Sequence, residues 1–264
     1  MADHSALAAQ PTRELLPSIR RIGPADVIEA LALGFDDFWS KPSHVIFICL
    51  IYPIVGLLIG RVITGYELLP LLYPLATGFA LIGPFAAIGL YEISRRREQQ
   101  GDAHWQDALD VFRSHSIRPI LALGAVLVAI FVAWLAAAHA IYSLTFGDKV
   151  PPSLGDFARE VLTTEHGWQL VLLGNGVGFL FAVLVLAISV VSFPMLVDRN
   201  VDATTAVLTS IKACVVNPLP MALWGLIVVV ALVIGSLPFF IGLAIVLPVL
   251  GHATWHLYRR VVER

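Results

Sequence analysis

From Leu219 to Leu257 the chain runs without a single Asp, Glu, Lys or Arg. Few soluble folds accept such a run. One continuous helix of roughly 39 residues would reach about 58 Å, twice the ~30 Å hydrocarbon core of a bilayer. The GSLP at 235–238 divides it. Glycine takes turn dihedrals readily, and proline cannot continue the hydrogen-bond ladder before it. The run therefore reads as a tight hairpin of two membrane spans, residues 219–235 and 238–257.

Four other apolar stretches have span length: 44–64, 69–93, 119–145 and 170–197. The chain is 58% hydrophobic and 14% charged. A soluble domain carries about 25% charged residues, so this one lacks the polar surface to cover itself in water. The fold class expected is all-α, a polytopic membrane helix bundle of six transmembrane helices. Residues 1–23 are mixed and polar and read as a flexible N-terminus without a cleavable signal pattern. Residues 24–264 read as one membrane domain. Cys49 and Cys214 have no spacing that suggests a disulfide framework or a zinc site.

Charge placement gives an orientation. Six spans put both termini on one side, and 14 of the 17 basic residues fall on that side. The positive-inside rule then places both termini in the cytoplasm. Residues 146–168 hold Asp148, Asp156, Glu160 and Glu165 and read as the sizeable external loop. Within it Ser153 stands three residues before Asp156, as in a capping box, and Leu154, Phe157 and Val161 share a face. A short helix on the outer surface is expected there.

Three stretches share a plan of amphipathic segment, polar residue, proline and span: 26–42, 103–119 and 202–218. The expected apolar stripes are Val27, Leu31 and Phe38; Trp105, Leu109, Phe112 and Ser116; and Ala203, Val207, Ile211 and Cys214. Pro84, Pro194 and Pro248 recur in the second span of each unit. The chain thus reads as a pseudo-threefold hairpin repeat with units at about 26–97, 103–199 and 202–264, each opened by a cytoplasmic amphipathic helix. The first two helices are acidic, with Asp26, Glu29, Asp36, Asp37, Asp107 and Asp110. Anionic headgroups would repel them. They are expected to pack on one another, on the basic anchor Arg95–Arg96–Arg97, or on a partner protein.

His252 and His256, four residues apart, share a helix face near a membrane boundary, a spacing that presents two imidazoles to one metal. His44 at the start of the first span and Glu92 at the end of the second stand at the same side. His252 with His44 is the candidate haem or metal pair, and His256 with Glu92 would complete a divalent-metal set. The competing reading is structural. Trp255, His256 and Tyr258 beside Arg259 and Arg260 also make an interfacial belt, and Pro248 frees a carbonyl for His252. Glu92 has Arg95 and Arg96 at ion-pairing spacing. Gly174 and Gly178 flank Asn175 at a helix-packing spacing, as Gly56 and Gly60 do elsewhere, and Gly83–Pro84 is a candidate helix break. No acid–base pair, nucleophile set or phosphate loop appears, so no catalytic residue is expected. No basic patch interleaved with aromatics supports nucleic-acid binding.

The segments at 83–101 (GPFAAIGLYEISRRREQQG), 20–47 (RRIGPADVIEALALGFDDFWSKPSHVIF) and 250–263 (LGHATWHLYRRVVE) resemble an uncharacterised bacterial family of predicted integral membrane proteins. Its members are often labelled cytochrome c oxidase subunits, so the resemblance implies a respiratory connection and a bacterial inner membrane. It carries over no activity and no site residues. A haem–copper oxidase core needs six histidines. Here only His44, His139, His252 and His256 lie in or beside spans, split between two faces. The function expected is therefore a non-catalytic accessory, assembly or scaffold component of a membrane complex, its partners the lipid bilayer and that complex, with no cofactor required. The alternatives are a b-haem or divalent-metal protein and a small transporter or lipid-handling protein.

Overall fold

A computed structural model describes residues 16–40 and 70–263, apart from 102, 105, 115, 148, 150, 152 and 238–241. The expected first span, with His44, Cys49, Gly56 and Gly60, lies outside the described residues, as does Trp105. The chain is all-α. In order it forms α1 (Pro24–Ser40), α2 (Leu72–Phe79), α3 (Gly83–Ala86), α4 (Ile88–Gln100), α5 (Asp107–Asp110), α6 (Ile117–Phe146), α7 (Leu154–Thr163), α8 (Glu165–Ser189), α9 (Ser192–Asp198), α10 (Ala203–Val216), α11 (Pro218–Ser236) and α12 (Leu243–Val261).

Among the described residues, four stretches are long and apolar enough to cross a membrane: Tyr73–Gln100, Ile117–Phe146, Glu165–Asp198 and Pro218–Ser236. They coincide with the second to fifth expected spans. The sixth, α12, is not among them, because its second half carries His252, His256, Arg259 and Arg260 into a buried junction. The first long stretch is interrupted by a 3-10 turn at Ala80–Ile82 before Pro84, and the third is broken at Val190–Val191 before Pro194. Proline removes a donor and crowds the preceding turn, which is why breaks gather near it. Pro248, in contrast, stays inside α12.

Local signals account for several boundaries. Ser153 caps α7 by accepting from the Asp156 N–H at 3.1 Å, as its spacing anticipates. Thr164 and Asp202 cap α8 and α10 through Gly167 and Thr205. Gly101, at φ +77°, ends α4 in the left-handed conformation that glycine tolerates. At the corner between α7 and α8, a side chain on Gly167 would meet the Val161 carbonyl at 2.2 Å, so only glycine fits. Between the long helices, Trp134 Nε1 donates to the Pro74 carbonyl at 2.8 Å, and Tyr73 Oη donates to Asn175 Oδ1 at 2.8 Å.

The amphipathic segments depart from expectation in two of three cases. α1 buries Val27 and Phe38, with Leu31 half-buried, as its pattern implies. The second segment forms only the four-residue α5 and a 3-10 turn at Val111–Arg113. It buries Ala108 and Val111 and leaves Leu109 and Phe112 exposed. The reason is a close crossing: a side chain on Gly89 would stand 3.0 Å from Ala108 Cβ, so a small residue sets the contact face. α10 likewise buries Ala206, Thr209, Ser210 and Ala213, with Ile211 exposed. There the buried Ser210 Oγ accepts the Val191 N–H at 3.2 Å, a donor at the break between α8 and α9.

The two ends of the chain are joined. Ile19 and Val262 form an antiparallel bridge, with the Arg20 N–H donating to the Val261 carbonyl at 2.8 Å. Asn217 extends it as a strand would, accepting from the Ile22 N–H at 2.8 Å and donating to the Arg20 carbonyl at 2.9 Å.

Ser210→Ala leaves the Val191 N–H buried without its acceptor. A loss of about 1–3 kcal/mol is expected, read as a lower unfolding midpoint of the protein in detergent, whereas Thr204→Ala on the same helix should change it by well under 1 kcal/mol.

Candidate functional site

Residues 95–98 (RRRE) close α4, and successive helical residues point about 100° apart. Four neighbours therefore address the whole circumference. Arg95 and Arg96 both turn back to Glu92, at 2.6 and 2.7 Å, and Arg96 continues to Asp107 at 2.8 Å and Asp110 at 2.7 Å. Arg97 reaches across to α1, to Asp36 at 2.9 Å and to Asp37. Glu98 accepts from Trp255 Nε1 at 3.2 Å and pairs with Arg259 at 3.0 Å. One short basic run thus ties α4 to α1, α5 and α12.

This resolves where the acidic faces go. Of the destinations open in the sequence, Asp36, Asp37, Asp107 and Asp110 take the arginines of the basic anchor. Asp26 and Glu29 take Arg260 on α12. The Gly23 N–H, donating at 2.8 Å, holds the Asp26 carboxyl below its usual range against a slight cost of burial, with help from Arg260. Asp198, at the end of α9, accepts from Tyr258 Oη at 2.6 Å and Arg259 at 3.3 Å.

Asp37 lies at the centre of this network. Its side chain is 8% exposed, and Arg97 sits on Oδ1. Oδ2 accepts from Ser94 Oγ at 2.5 Å and stands 2.8 Å from His256 Nε2. Ser94 Oγ is also 2.7 Å from His252 Nδ1. A hydroxyl has one proton to give. Donated to the carboxylate, it leaves Oγ as acceptor, so His252 carries its proton on Nδ1 and a lone pair on Nε2. His252 is fully buried, and Nε2 has no hydrogen-bond partner.

The sequence candidates are distributed as follows. His252 and His256 converge on Asp37, one through Ser94 and one directly. Glu92, nearly buried, has both oxygens engaged by Arg95 and Arg96. His44 lies outside the described residues, and among those described no group of three or more His, Cys, Asp or Glu is arranged to hold a metal. The sequence reading put Asp37 on an acidic face facing the basic anchor but did not foresee the histidines beside it, and it missed Ser94, Glu98 and Asp198. Only the serine inside a charged helix end, in YEISRRRE, hinted at an internal partner.

Among the described residues, four long apolar stretches and a polar junction gathered at one end define a multi-pass integral membrane protein. Residues 72–198, from α2 to α9, match the model of a family described as "Predicted integral membrane protein (DUF2189)", so this stretch is similar to a membrane family of unknown function. α1 and α12, with Asp37 and both histidines, fall outside the matched residues. No curated protein and no solved structure matches the chain.

Asp37→Asn removes the charge that faces Arg97 in a largely buried setting. It should cost about 3 kcal/mol, more than Asp36→Asn, whose side chain is 70% exposed and shares Arg97 with Asp37. Unfolding midpoints of the two variants in the same detergent make the comparison.

Proposed function

We propose that the protein is a non-catalytic accessory, assembly or scaffold component of a membrane complex, seated in a bacterial inner membrane with both termini in the cytoplasm. The observation that carries this reading is the Arg95–Glu98 hub. Its charges are spent on tying the chain's own helices together, as a framework requires. The outward faces of α6, α8 and α11 are apolar, with Leu121, Phe179, Leu180, Leu226 and Val233 exposed. The basic bias at the termini and at 95–118 supports the orientation.

A pseudo-threefold plan fits the packing. α5 rests on α4, α10 on α9, and α1, from the far end of the chain, on α12. Each helix that opens a unit thus sits on the last span of a hairpin, with α1 taking that place on α12. Gentle solubilisation of the host membrane and affinity capture of the tagged protein should return a second membrane complex in constant ratio. Recovery of this chain alone removes the reading.

A second reading, a b-haem or divalent-metal protein, is favoured by one observation: the buried lone pair of His252 Nε2. A donor of that kind suits a metal. His44 would be its partner in a haem site, while His256 and Glu92 would have to leave Asp37 and the arginines to join. An absorbance spectrum of the purified protein with a Soret band lost in His252→Ala supports it. A spectrum without that band, with empty metal analysis, ends it.

A further inference from the structure

In the sequence α1 reads as a cytoplasmic amphipathic helix, but its packing gives it a different position. α11 and α12 have 19 residues each, about 28 Å, which matches a bilayer core of ~30 Å. They are level at both ends. A side chain on Gly242 would stand 2.8 Å from Gly235, and at the other end Arg20 bonds both the Val261 carbonyl and Asn217. α11 is one of the four stretches fit to cross a membrane, so α12 lies across the same thickness.

α1 runs antiparallel along α12. Asp26 and Glu29 meet Arg260, Gly34 meets Ala253, and Phe38 packs with Val249. From Arg260 to Val249 the helix descends about 16 Å, so α1 reaches past the middle of the hairpin. The contact itself has a membrane character. A side chain on Gly34 would stand 2.5 Å from the Ala253 backbone, and Ala30 and Ala253 are fully buried. Small residues four apart let helices approach closely where no hydrophobic drive brings them together.

The other side of α1 presents Ile28, Ala32, Phe35 and Trp39, positions that fall on one helical stripe. Ile28, Phe35 and Trp39 are 54%, 50% and 70% exposed. The neighbouring α11 turns out Leu226, Val229 and Val233, so the stripe continues an apolar outer surface. Glu29 and Asp36 border it, each held by an arginine of another helix.

We propose that α1 is sunk into the bilayer, with the Ile28–Ala32–Phe35–Trp39 stripe against phospholipid acyl chains. Pairing with Arg97 and Arg260 is what allows an acidic helix to lie there, because charges within a membrane persist where they are paired.

Spin labels on single cysteines test this in the full chain, with Cys49→Ser and Cys214→Ser as background, in vesicles of phosphatidylcholine and phosphatidylglycerol. Labels go on Ala25→Cys, Ile28→Cys, Ala32→Cys, Phe35→Cys and Trp39→Cys. Collision with oxygen relative to a water-soluble nickel chelate should rise several-fold from position 25 to position 39. Free access of the chelate to positions 32, 35 and 39 overturns the proposal and places α1 in water. Labels shielded from both relaxants also overturn it, and put a second copy or another protein segment on the stripe. Ala32→Cys and Phe35→Cys decide the matter by themselves if Trp39→Cys does not fold.

Discussion

Asp37 is a carboxylate withdrawn from water, and its two oxygens are shared among Arg97, Ser94 and His256. A buried charge is tolerable only when it is paired and its lone pairs are filled. Those partners come from α4 and α12, so satisfying Asp37 places three helices at once. The remaining ion pairs extend the same solution outward: Arg96 gathers α5, Glu98 and Arg259 join α4 to α12, and Asp198 adds α9. The terminal bridge closes the assembly by holding residues 18–20 against 261–263. The polar end of this protein is therefore a set of mutually dependent contacts between elements remote in sequence.

The histidines change meaning in that setting. Their spacing, which suits a metal, here brings both imidazoles to one carboxylate from a third helix. His256 donates to Asp37 directly, while His252 donates to Ser94, whose proton goes to Asp37. The donated proton thus sits on Nε2 of one histidine and on Nδ1 of the other, one turn apart. It also leaves the one unpaired buried side-chain atom found among the described residues, His252 Nε2. Position within the helix, more than residue type, makes that nitrogen available.

The spans were largely legible because a hydrocarbon core imposes length and apolarity, and four of six emerge close to where composition puts them. Local rules also read true: the Ser153 cap, the pairing of Glu92 with Arg95 and Arg96, and the buried face of α1. Legibility ended where packing depends on small residues. Ala108, Ser210 and Ala213 form contact faces, yet a search for large apolar side chains selects Leu109, Phe112 and Ile211. It also ended at long range. His256 and Asp37 are 219 residues apart, and Ser94 and Asp37 are 57 apart. No periodicity links such positions, and an acidic helix looks the same in sequence whether its charges meet solvent, a partner or its own chain.

Asp37 and Arg97 are direct partners inside one chain and hold α1 to α4. A double-mutant cycle with Asp37→Asn, Arg97→Gln and the pair, followed by reversible unfolding in mixed micelles, measures that directly. A coupling above about 1 kcal/mol is expected, the double variant losing much less than the sum of the singles. Additive losses would contradict it, and would assign the two charges to separate partners.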